Sequence, residues 1–294
     1  MIITSCGNSI EIAKKLARKL KVTYSPLTIS AFPDGDIYLK YNTPLKGKKV
    51  VIVHSFQPHP DTSLFDVIFA AETARTLGAT KVILVAPYLA YMRQDTQFHP
   101  GEAVSSKIMA KLLNKSIDKI ITIDPHLHRY KSLKDIFTIP ATKVTVNDLI
   151  AAYIQKNVKN VVIIGPDWES YQWAESIAKQ INVPVTVLEK TRYSARKVEV
   201  KMKKAILIKD KNVVIVDDII STGHTIAEAA KKAKKAGARS ITAIGVHGLF
   251  VENAVDTLKH AGVNRIVTTN CIQHPTNKID VTPLLMEELK KEKK

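Results

Sequence analysis

Two adjacent acidic residues followed by a Ser/Thr/Gly loop form the sharpest chemical signal in the sequence. Asp217 and Asp218 end the apolar run Val213–Val216, and the polar segment Ser221–Thr225 follows them almost directly. Gly223 would allow backbone N–H groups to converge on an anion, and a helix beginning near Thr225 would direct its positive end to the same point. The spacing therefore predicts a phosphate-binding loop, with further donors from the hydroxyls of Ser221, Thr222 and Thr225.

The two carboxylates narrow the predicted ligand to a phosphate that carries other groups. Asp217 and Asp218 would repel a bare phosphate, whereas they suit the hydroxyls of a sugar, or a metal bound to those hydroxyls. The expected ligand is therefore a sugar phosphate. The alternative is an ordinary strand end with an Asp cap and a polar turn. This alternative is disfavoured because the apolar run, the acidic pair and the Ser/Thr/Gly segment are unlikely to occur together at this spacing by chance.

The segment 216–225 resembles the ribose 5-phosphate loop shared by phosphoribosyltransferases and ribose-phosphate pyrophosphokinases. Segments from Ser5 to beyond Gly248 are similar to the pyrophosphokinase family, so the resemblance covers nearly the whole chain. It implies transfer of the β,γ-diphosphate of ATP to the C1 hydroxyl of ribose 5-phosphate, giving 5-phosphoribosyl 1-diphosphate and AMP for nucleotide biosynthesis. It also implies ribose 5-phosphate binding by Arg192, Asp217, Asp218, Ser221, Thr222, Gly223, His224 and Thr225.

Two segments of the first half resemble the ATP-contacting parts of the same family. They imply contacts with ATP from Phe32, Asp34, Gly35, Asp36, Arg93 and Gln94. Without the resemblance, Pro33-Asp34-Gly35 is ordinary turn chemistry, and the alternative role of Arg93 is a surface ion pair with Asp95. The chain has neither G-x-x-x-x-G-K-[ST] nor G-x-G-x-x-G, so ATP requires a different kind of site.

Metal and catalytic residues are assigned by the same resemblance. His126 and Asp167, each after an apolar run, match residues that hold Mg²⁺, the expected cofactor. A zinc pair of His126 with His128 is disfavoured because the spacing offers no third ligand. Lys190 and Arg192 match the paired cations of the family's catalytic loop, although a run of cations is ordinarily a solvated surface.

The sequence departs from the family pattern at two places. Thr191 stands between the paired cations, where many members have a second arginine. Residues 168–171 are Trp-Glu-Ser-Tyr, where many members have small glycines after the metal-linked aspartate. The second departure concerns the local geometry directly after Asp167.

Short Val/Ile-rich runs alternate with amphipathic stretches of about 10 to 15 residues, which is typical of parallel sheets with crossover helices. The expected strands are Val50–Val53, Val82–Ala86, Ile120–Ile123, Val161–Ile164, Val185–Leu188, Val213–Val216 and Ile241–Val246. The units around residues 48–79 and 211–238 share a strand, a loop, a helix and a Gly-Ala pair, so an internal duplication is favoured over coincidence. The predicted fold is α/β, with two tandem phosphoribosyltransferase-like domains, 1–145 and 146–294, each a mostly parallel sheet flanked by helices.

Composition sets the remaining expectations. The 294 residues suffice for two domains, and the two cysteines permit neither a disulfide framework nor a four-cysteine metal site. The net charge of +17 favours phosphorylated small molecules over nucleic acid, because the lysine-rich stretches lack interleaved aromatic residues. We expect no membrane span, a cytoplasmic location, and a homo-oligomer of at least two chains.

Two rival functions remain open at this stage. A phosphoribosyltransferase would use the same loop but leaves the first half unexplained. A catalytically silent relative that keeps the fold for protein or nucleic-acid contacts is disfavoured by the joint presence of Lys190, Arg192, His126 and Asp167.

Overall fold

The chain forms two compact units. A computed structural model describes the backbone of residues 1–194, 197–202 and 208–293, and the side chains of residues 1–187 and 208–293. The first unit comprises Met1–Thr145, Cys271–Gln273 and Val281–Lys294, and the second comprises Val146–Asn270 and His274–Asp280. The expected second half ran to residue 294, whereas the tail after residue 280 belongs to the first unit.

The first unit is built around a six-stranded parallel sheet. Its strands are β1 (Ile2–Thr4), β2 (Thr23–Tyr24), β5 (Lys49–Val53), β6 (Lys81–Ala86), β7 (Lys119–Ile123) and β8 (Ala141–Val144), in the spatial order β2-β1-β5-β6-β7-β8. Strands β3 (Leu27–Ala31) and β4 (Ile37–Tyr41) form a separate antiparallel hairpin. The helices are α1 (Ile10–Leu20), α2 (Pro60–Thr76), α3 (Ser105–Ser116) and the tail helix α8 (Thr282–Lys293), with a short 3-10 helix at Leu133–Asp135.

The second unit has a seven-stranded sheet that is parallel except at one edge. Its strands are β9 (Val161–Gly165), β10 (Val185–Ser194), β11 (Lys197–Met202), β12 (Asn212–Ile220), β13 (Ser240–Gly248), β14 (Arg265–Thr269) and β15 (Asn277–Ile279). Their order is β11-β10-β9-β12-β13-β14-β15, with β11 antiparallel to β10. The helices are α4 (Asn147–Asn157), α5 (Trp168–Gln180), α6 (His224–Lys235) and α7 (Ala254–His260).

The predicted α/β class is confirmed, and all seven expected strands are present. The central strands are apolar because helices or loops cover both of their faces, as parallel sheets require. Residues Val50–Val53 and Val213–Val216 have no more than 1% of their surface exposed. The β3–β4 hairpin and strands β1, β2, β8, β11, β14 and β15 were not predicted. No helix within the described residues is both long and apolar enough to span a membrane.

The two units repeat the same local hydrogen-bond pattern, which supports the predicted duplication. Gly78 and Gly237 both end their helices with positive φ, 85° and 82°. In each unit the next alanine donates to the carbonyl five residues before it, at 3.0 Å. The following residue donates to the residue before the central strand at 2.8 Å in both units, by Thr80 to Lys48 and by Arg239 to Lys211. Each unit therefore closes its helix-to-strand connection in the same way.

The Glu292 carboxylate in the tail helix forms ion pairs at the edge of the first sheet where its strands begin. Glu292 in α8 accepts from Lys81 at 2.7 Å and from Lys119 at 2.8 Å, and its backbone carbonyl accepts from Lys49 at 2.8 Å. These lysines stand at the first positions of three neighbouring strands, so a single residue accepts hydrogen bonds from all three and offsets part of their positive charge. Burial alone would raise the pKa of Glu292, but the two lysine hydrogen bonds outweigh it and hold the pKa below its usual value.

Candidate active site

The predicted phosphate loop connects β12 to α6. Helix α6 begins at His224, one residue before the expected position, and Gly223 precedes it with φ 77°. A side chain at Gly223 would meet Leu258 and the carbonyl of Ala254 in α7, at 3.2 and 3.3 Å. Both the positive φ and this close approach favour glycine. The loop therefore presents Ser221, Thr222 and the first turn of α6 at the carboxyl edge of the sheet, where α/β proteins bind ligands.

Three carboxylates of the second unit interact at this edge. Burial raises the pKa of Asp217 well above its ordinary value, and the negative charges of Asp218 and then Asp167 raise it further. The backbone N–H of Asp218 donates to Asp217 Oδ1 at 3.1 Å, which compensates only in part. The structure thus brings together three predicted site residues, and their mutual repulsion favours a cation or a hydroxyl-bearing ligand among them.

Asp167 also has a structural role that the sequence reasoning missed. Its Oδ1 accepts from the backbone N–H of Ser170 at 2.9 Å and from the Ser170 hydroxyl at 2.8 Å, so Asp167 is the N-cap of α5. The signal was present in the sequence, because an Asp three residues before a Ser is a helix-start pattern. The rings of Trp168 and Tyr171, at the segment where the sequence departs from the family pattern, stack with their centroids 5.3 Å apart in the first turn of this helix.

Lys190 and Arg192 lie in strand β10 rather than in the expected loop. Lys190 pairs with Val200 and Arg192 with Val198 across the antiparallel β10–β11 ribbon. Alternating valines in Lys197–Met202 explain this, because residues of high strand propensity at every second position favour a strand over a loop. The side chains of both cations lie outside the described residues, so their catalytic role stays a prediction.

The residues between positions 32 and 36 that are expected to contact ATP form the exposed tip of the β3–β4 hairpin. Phe32 N–H donates to the Asp36 carbonyl at 2.8 Å, and Gly35 N–H donates to the Phe32 carbonyl at 2.9 Å. The aromatic ring of Phe32 is 51% exposed and meets Tyr38 edge-on at 5.6 Å. A large apolar ring held at a tight turn and facing solvent is available for stacking on a base. Asp34 and Gly35 are exposed at the same tip.

Arg93 and Gln94 follow β6 and differ in their surroundings. Asp95, the alternative partner of Arg93, is instead bound by Arg129 at 2.8 Å. Arg93 is exposed, whereas the side chain of Asp95 is only 1% exposed, so a surface pair between the two does not account for Arg93. Gln94 accepts from the Ser105 hydroxyl at 2.6 Å, and its backbone carbonyl accepts from Ser106. Gln94 therefore holds the start of α3, and any contact with ATP would be additional to this role.

His126 follows β7, as predicted, and its ring is paired with the second histidine. His126 Nδ1 and His128 Nε2 are 2.8 Å apart, within hydrogen-bond distance. This contact fixes the orientation of the His126 ring, as a hydrogen-bond partner does for a metal-ligating histidine. A metal-binding role for His126 stays a prediction.

The position equivalent to Asp217 in the first unit is His54. Both residues directly follow a buried run of four apolar residues, but His54 is 3% exposed and neither of its ring nitrogens has a hydrogen-bond partner among the described residues. Burial lowers its pKa to about 4. The adjoining Asn8 amide, which sequence reasoning did not single out, donates to the carbonyls of Ser55 and Gln57 at 2.5 and 2.6 Å. This edge therefore has no counterpart of the acidic pair.

His54 should make stability depend on pH. Below about pH 6.5 the unfolded state binds a proton on this histidine, whereas the folded state does so only near pH 4. The free energy of unfolding should therefore fall by on the order of 3 kcal/mol between these pH values. Urea denaturation at pH 7 and pH 4.5 measures the loss, which His54→Leu should reduce. The exposed His99→Leu is the control, and an equal pH dependence in wild type and His54→Leu would contradict the assignment.

The fold and the carboxyl edge of the second sheet define a class of protein: a duplicated phosphoribosyltransferase-like fold in which, among the described residues, one unit has an acidic loop of the ribose-phosphate type. Residues 1–116 match the N-terminal domain of ribose phosphate pyrophosphokinase, and residues 132–281 match the phosphoribosyl transferase domain. The chain belongs to the ribose-phosphate pyrophosphokinase family.

Relatives align with the chain from end to end. A ribose-phosphate pyrophosphokinase of Methanopyrus kandleri is 34% identical, with 98% of each chain covered. One of Methanothermobacter thermautotrophicus is 33% identical over 98% of this chain and 100% of its own. The crystal structure of phosphoribosylpyrophosphate synthetase from Mycobacterium smegmatis has a TM-score of 0.86 at 23% identity, covering 98% of this chain and 97% of that one, which is a likeness of fold.

Proposed function

We propose that this chain is an ATP-dependent diphosphotransferase that moves the β,γ-diphosphate of ATP to the C1 hydroxyl of ribose 5-phosphate. The products are 5-phosphoribosyl 1-diphosphate and AMP. The observation that carries the proposal is the acidic pair Asp217–Asp218 near the end of β12, which only Ile219 and Ile220 separate from the phosphate loop and the start of α6. Family membership supplies the ATP-dependent transfer.

The second unit binds the sugar phosphate. The 5-phosphate accepts hydrogen bonds from the loop residues Ser221–Thr225, where the N-terminus of α6 adds a favourable dipole. Asp217 and Asp218 accept from the ribose hydroxyls, and this fixes the position of C1. An acceptor held at both ends loses little further freedom on reaching the transition state.

The transfer itself needs positioning and positive charge rather than a covalent enzyme intermediate. The C1 hydroxyl attacks the β-phosphorus in line with the departing AMP. Lys190 and Arg192 donate to the transferring diphosphate and stabilise the charge that grows on its oxygens. At the tip of the β3–β4 hairpin, Phe32 stacks on adenine while Asp34 and Asp36 accept from its amine, and Arg93 contacts the phosphates or the base.

The acidic cluster fits a divalent cation, which we propose to be Mg²⁺. Oxygen donors are the ligands that Mg²⁺ prefers, and Asp167 and Asp217 lie in a cluster whose repulsion a cation would relieve. The family resemblance assigns metal binding to His126 in the first unit and to Asp167 in the second. When bound, Mg²⁺ supplies charge neutralisation at the triphosphate oxygens.

We also propose a homo-oligomer. Phe65 and Phe69 in α2 and Ile108 in α3 are exposed by 52, 45 and 54%. Residues four apart in α2 lie on the same side of the helix, so the two phenylalanines form one apolar strip. Association of copies through such a strip would remove large apolar side chains from water.

The direct test is to incubate purified protein with ATP, Mg²⁺ and ribose 5-phosphate and to quantify AMP and 5-phosphoribosyl 1-diphosphate together. Equal amounts of both products, formed only when sugar and metal are present, are expected. Release of ADP or inorganic phosphate in place of AMP would contradict diphosphate transfer. If neither product forms while ribose 5-phosphate or its diphosphate still binds, a transferase or a silent relative would replace the proposal.

A further inference from the structure

Gly245 in β13 occupies a position at which a side chain would collide with Ile220. A Cβ atom there would lie 2.5 Å from Ile220 Cγ1 and 2.7 Å from its Cδ1. Gly245 does not have the positive φ that would itself call for glycine. Its missing side chain therefore serves packing: it leaves a notch that Ile220 fills.

Ile220 is the residue on which the phosphate loop begins. It ends β12, is completely buried, and directly precedes Ser221. Its carbonyl accepts from the N–H groups of Leu249 and Phe250, at 2.9 and 3.1 Å. The side chain and the carbonyl of Ile220 thus fix the point where the sheet ends and the loop departs.

The notch is also next to the acidic pair. Gly245 is the register partner of Asp217 across the β12–β13 ladder. A displaced Ile220 would therefore change the position of the phosphate loop relative to Asp217. In the proposed function, the loop and Asp217 hold opposite ends of the sugar phosphate. Because isoleucine is branched at Cβ and stiff about χ1, and because Cγ1 is the closest atom, rotation of the chain tip alone would not relieve the contact.

We propose that Gly245 is a positioning residue for ribose 5-phosphate: its notch seats Ile220 and thereby sets the distance between the phosphate loop and Asp217. The proposal rests on the proposed function, and it concerns only the sugar-phosphate half of the site. ATP, which the first unit contacts, does not depend on the notch. A side chain at position 245 should therefore affect the two substrates differently.

The test uses a complementary pair of substitutions. Gly245→Val adds three carbons and Ile220→Ala removes three, so the double variant conserves volume. Gly245→Val should raise both the KM and the calorimetric Kd for ribose 5-phosphate by roughly 10- to 100-fold, because small misplacements at a site are costly. The KM for ATP should change by less than about 2-fold. Gly245→Val with Ile220→Ala should recover most of the ribose 5-phosphate affinity.

Ala243→Val is the matched control. Ala243 is fully buried, lies two residues earlier in β13 and pairs with Ile215, two register positions from the notch. The Ala243→Val substitution should lower the melting temperature and leave the affinity for ribose 5-phosphate near that of wild type. An equal rise in KM for ribose 5-phosphate in Ala243→Val, or no recovery in the double variant, would overturn the role of Gly245.

If Gly245→Val does not fold, Gly245→Ala with and without Ile220→Val repeats the comparison with one carbon added and one removed, and the same recovery is expected. If wild type forms no 5-phosphoribosyl 1-diphosphate, the proposed function is wrong. If wild type is active and Gly245→Val binds ribose 5-phosphate normally, the inference about Gly245 is wrong and the function stands.

Discussion

Replacing Lys190 with alanine should lower kcat by roughly 10²- to 10⁴-fold, the range expected when a preorganised charge that stabilises a transition state is removed. Negative charge accumulates on the transferred diphosphate as AMP departs, and a cation held there stabilises the transition state more than the bound substrates. The affinity for ribose 5-phosphate should remain within about 3-fold of wild type, because a group acting mainly in the transition state contributes little to ground-state binding. AMP release measures kcat, and calorimetry measures ribose 5-phosphate affinity.

Lys201→Ala is the matched control for this prediction. Lys201 is in β11, the strand that pairs with β10, and its register partner is Glu189. It has the same charge and lies in the same ribbon, but the family resemblance assigns it no role. A near-normal kcat in Lys190→Ala would mean that Lys190 does not stabilise the transition state. Equal losses of kcat in both variants would mean that the ribbon contributes only general positive charge.

The sheets could be predicted because their central strands are buried on both faces. Such strands appear in sequence as uninterrupted apolar runs, and Val50–Val53 and Val213–Val216 are the clearest examples. The phosphate loop could be predicted for a related reason. Asp217, Asp218 and Gly223 come within seven residues, so chain connectivity alone places them at one strand end.

Features that depend on distant residues could not be predicted in this way. The partner of Asp95 is Arg129, 34 positions away, and Glu292 meets lysines more than 170 positions away. The β1 strand is only three residues long and gives no periodic signal. The notch at Gly245 depends on a side chain in the neighbouring strand, so the sequence shows only an isolated glycine in an apolar run.

Asp217→Asn should weaken ribose 5-phosphate binding while it stabilises the protein without ligand. The folded-state pKa of Asp217 is raised above its ordinary value, by burial first and by Asp218 and Asp167 next. Above that ordinary value the unfolded state loses its proton more readily than the folded state, so ionised Asp217 costs stability at neutral pH. The uncharged amide removes this cost, and the melting temperature at pH 7.5 should rise.

The same change removes a charged acceptor from the ribose hydroxyls. Hydrogen bonds to charged groups contribute about 1.5 to 3 kcal/mol, so the Kd for ribose 5-phosphate should rise by roughly 10- to 100-fold. ATP affinity should be unchanged within about 2-fold, because Asp217 belongs to the sugar-phosphate half. Calorimetric titration with each substrate separates the two effects.

Asp210→Asn provides the control from the opposite end of the same strand. Asp210 is exposed, and its backbone N–H closes the turn to Gly237 at 2.9 Å, so its carboxylate is away from the phosphate loop. It should change neither substrate affinity. Equal losses of ribose 5-phosphate and ATP binding in Asp217→Asn would mean that the acidic pair does not hold the ribose. A lower melting temperature would mean that Asp217 ionises without cost in the folded chain, and the need for a cation or a hydroxyl-bearing ligand at this edge would then disappear.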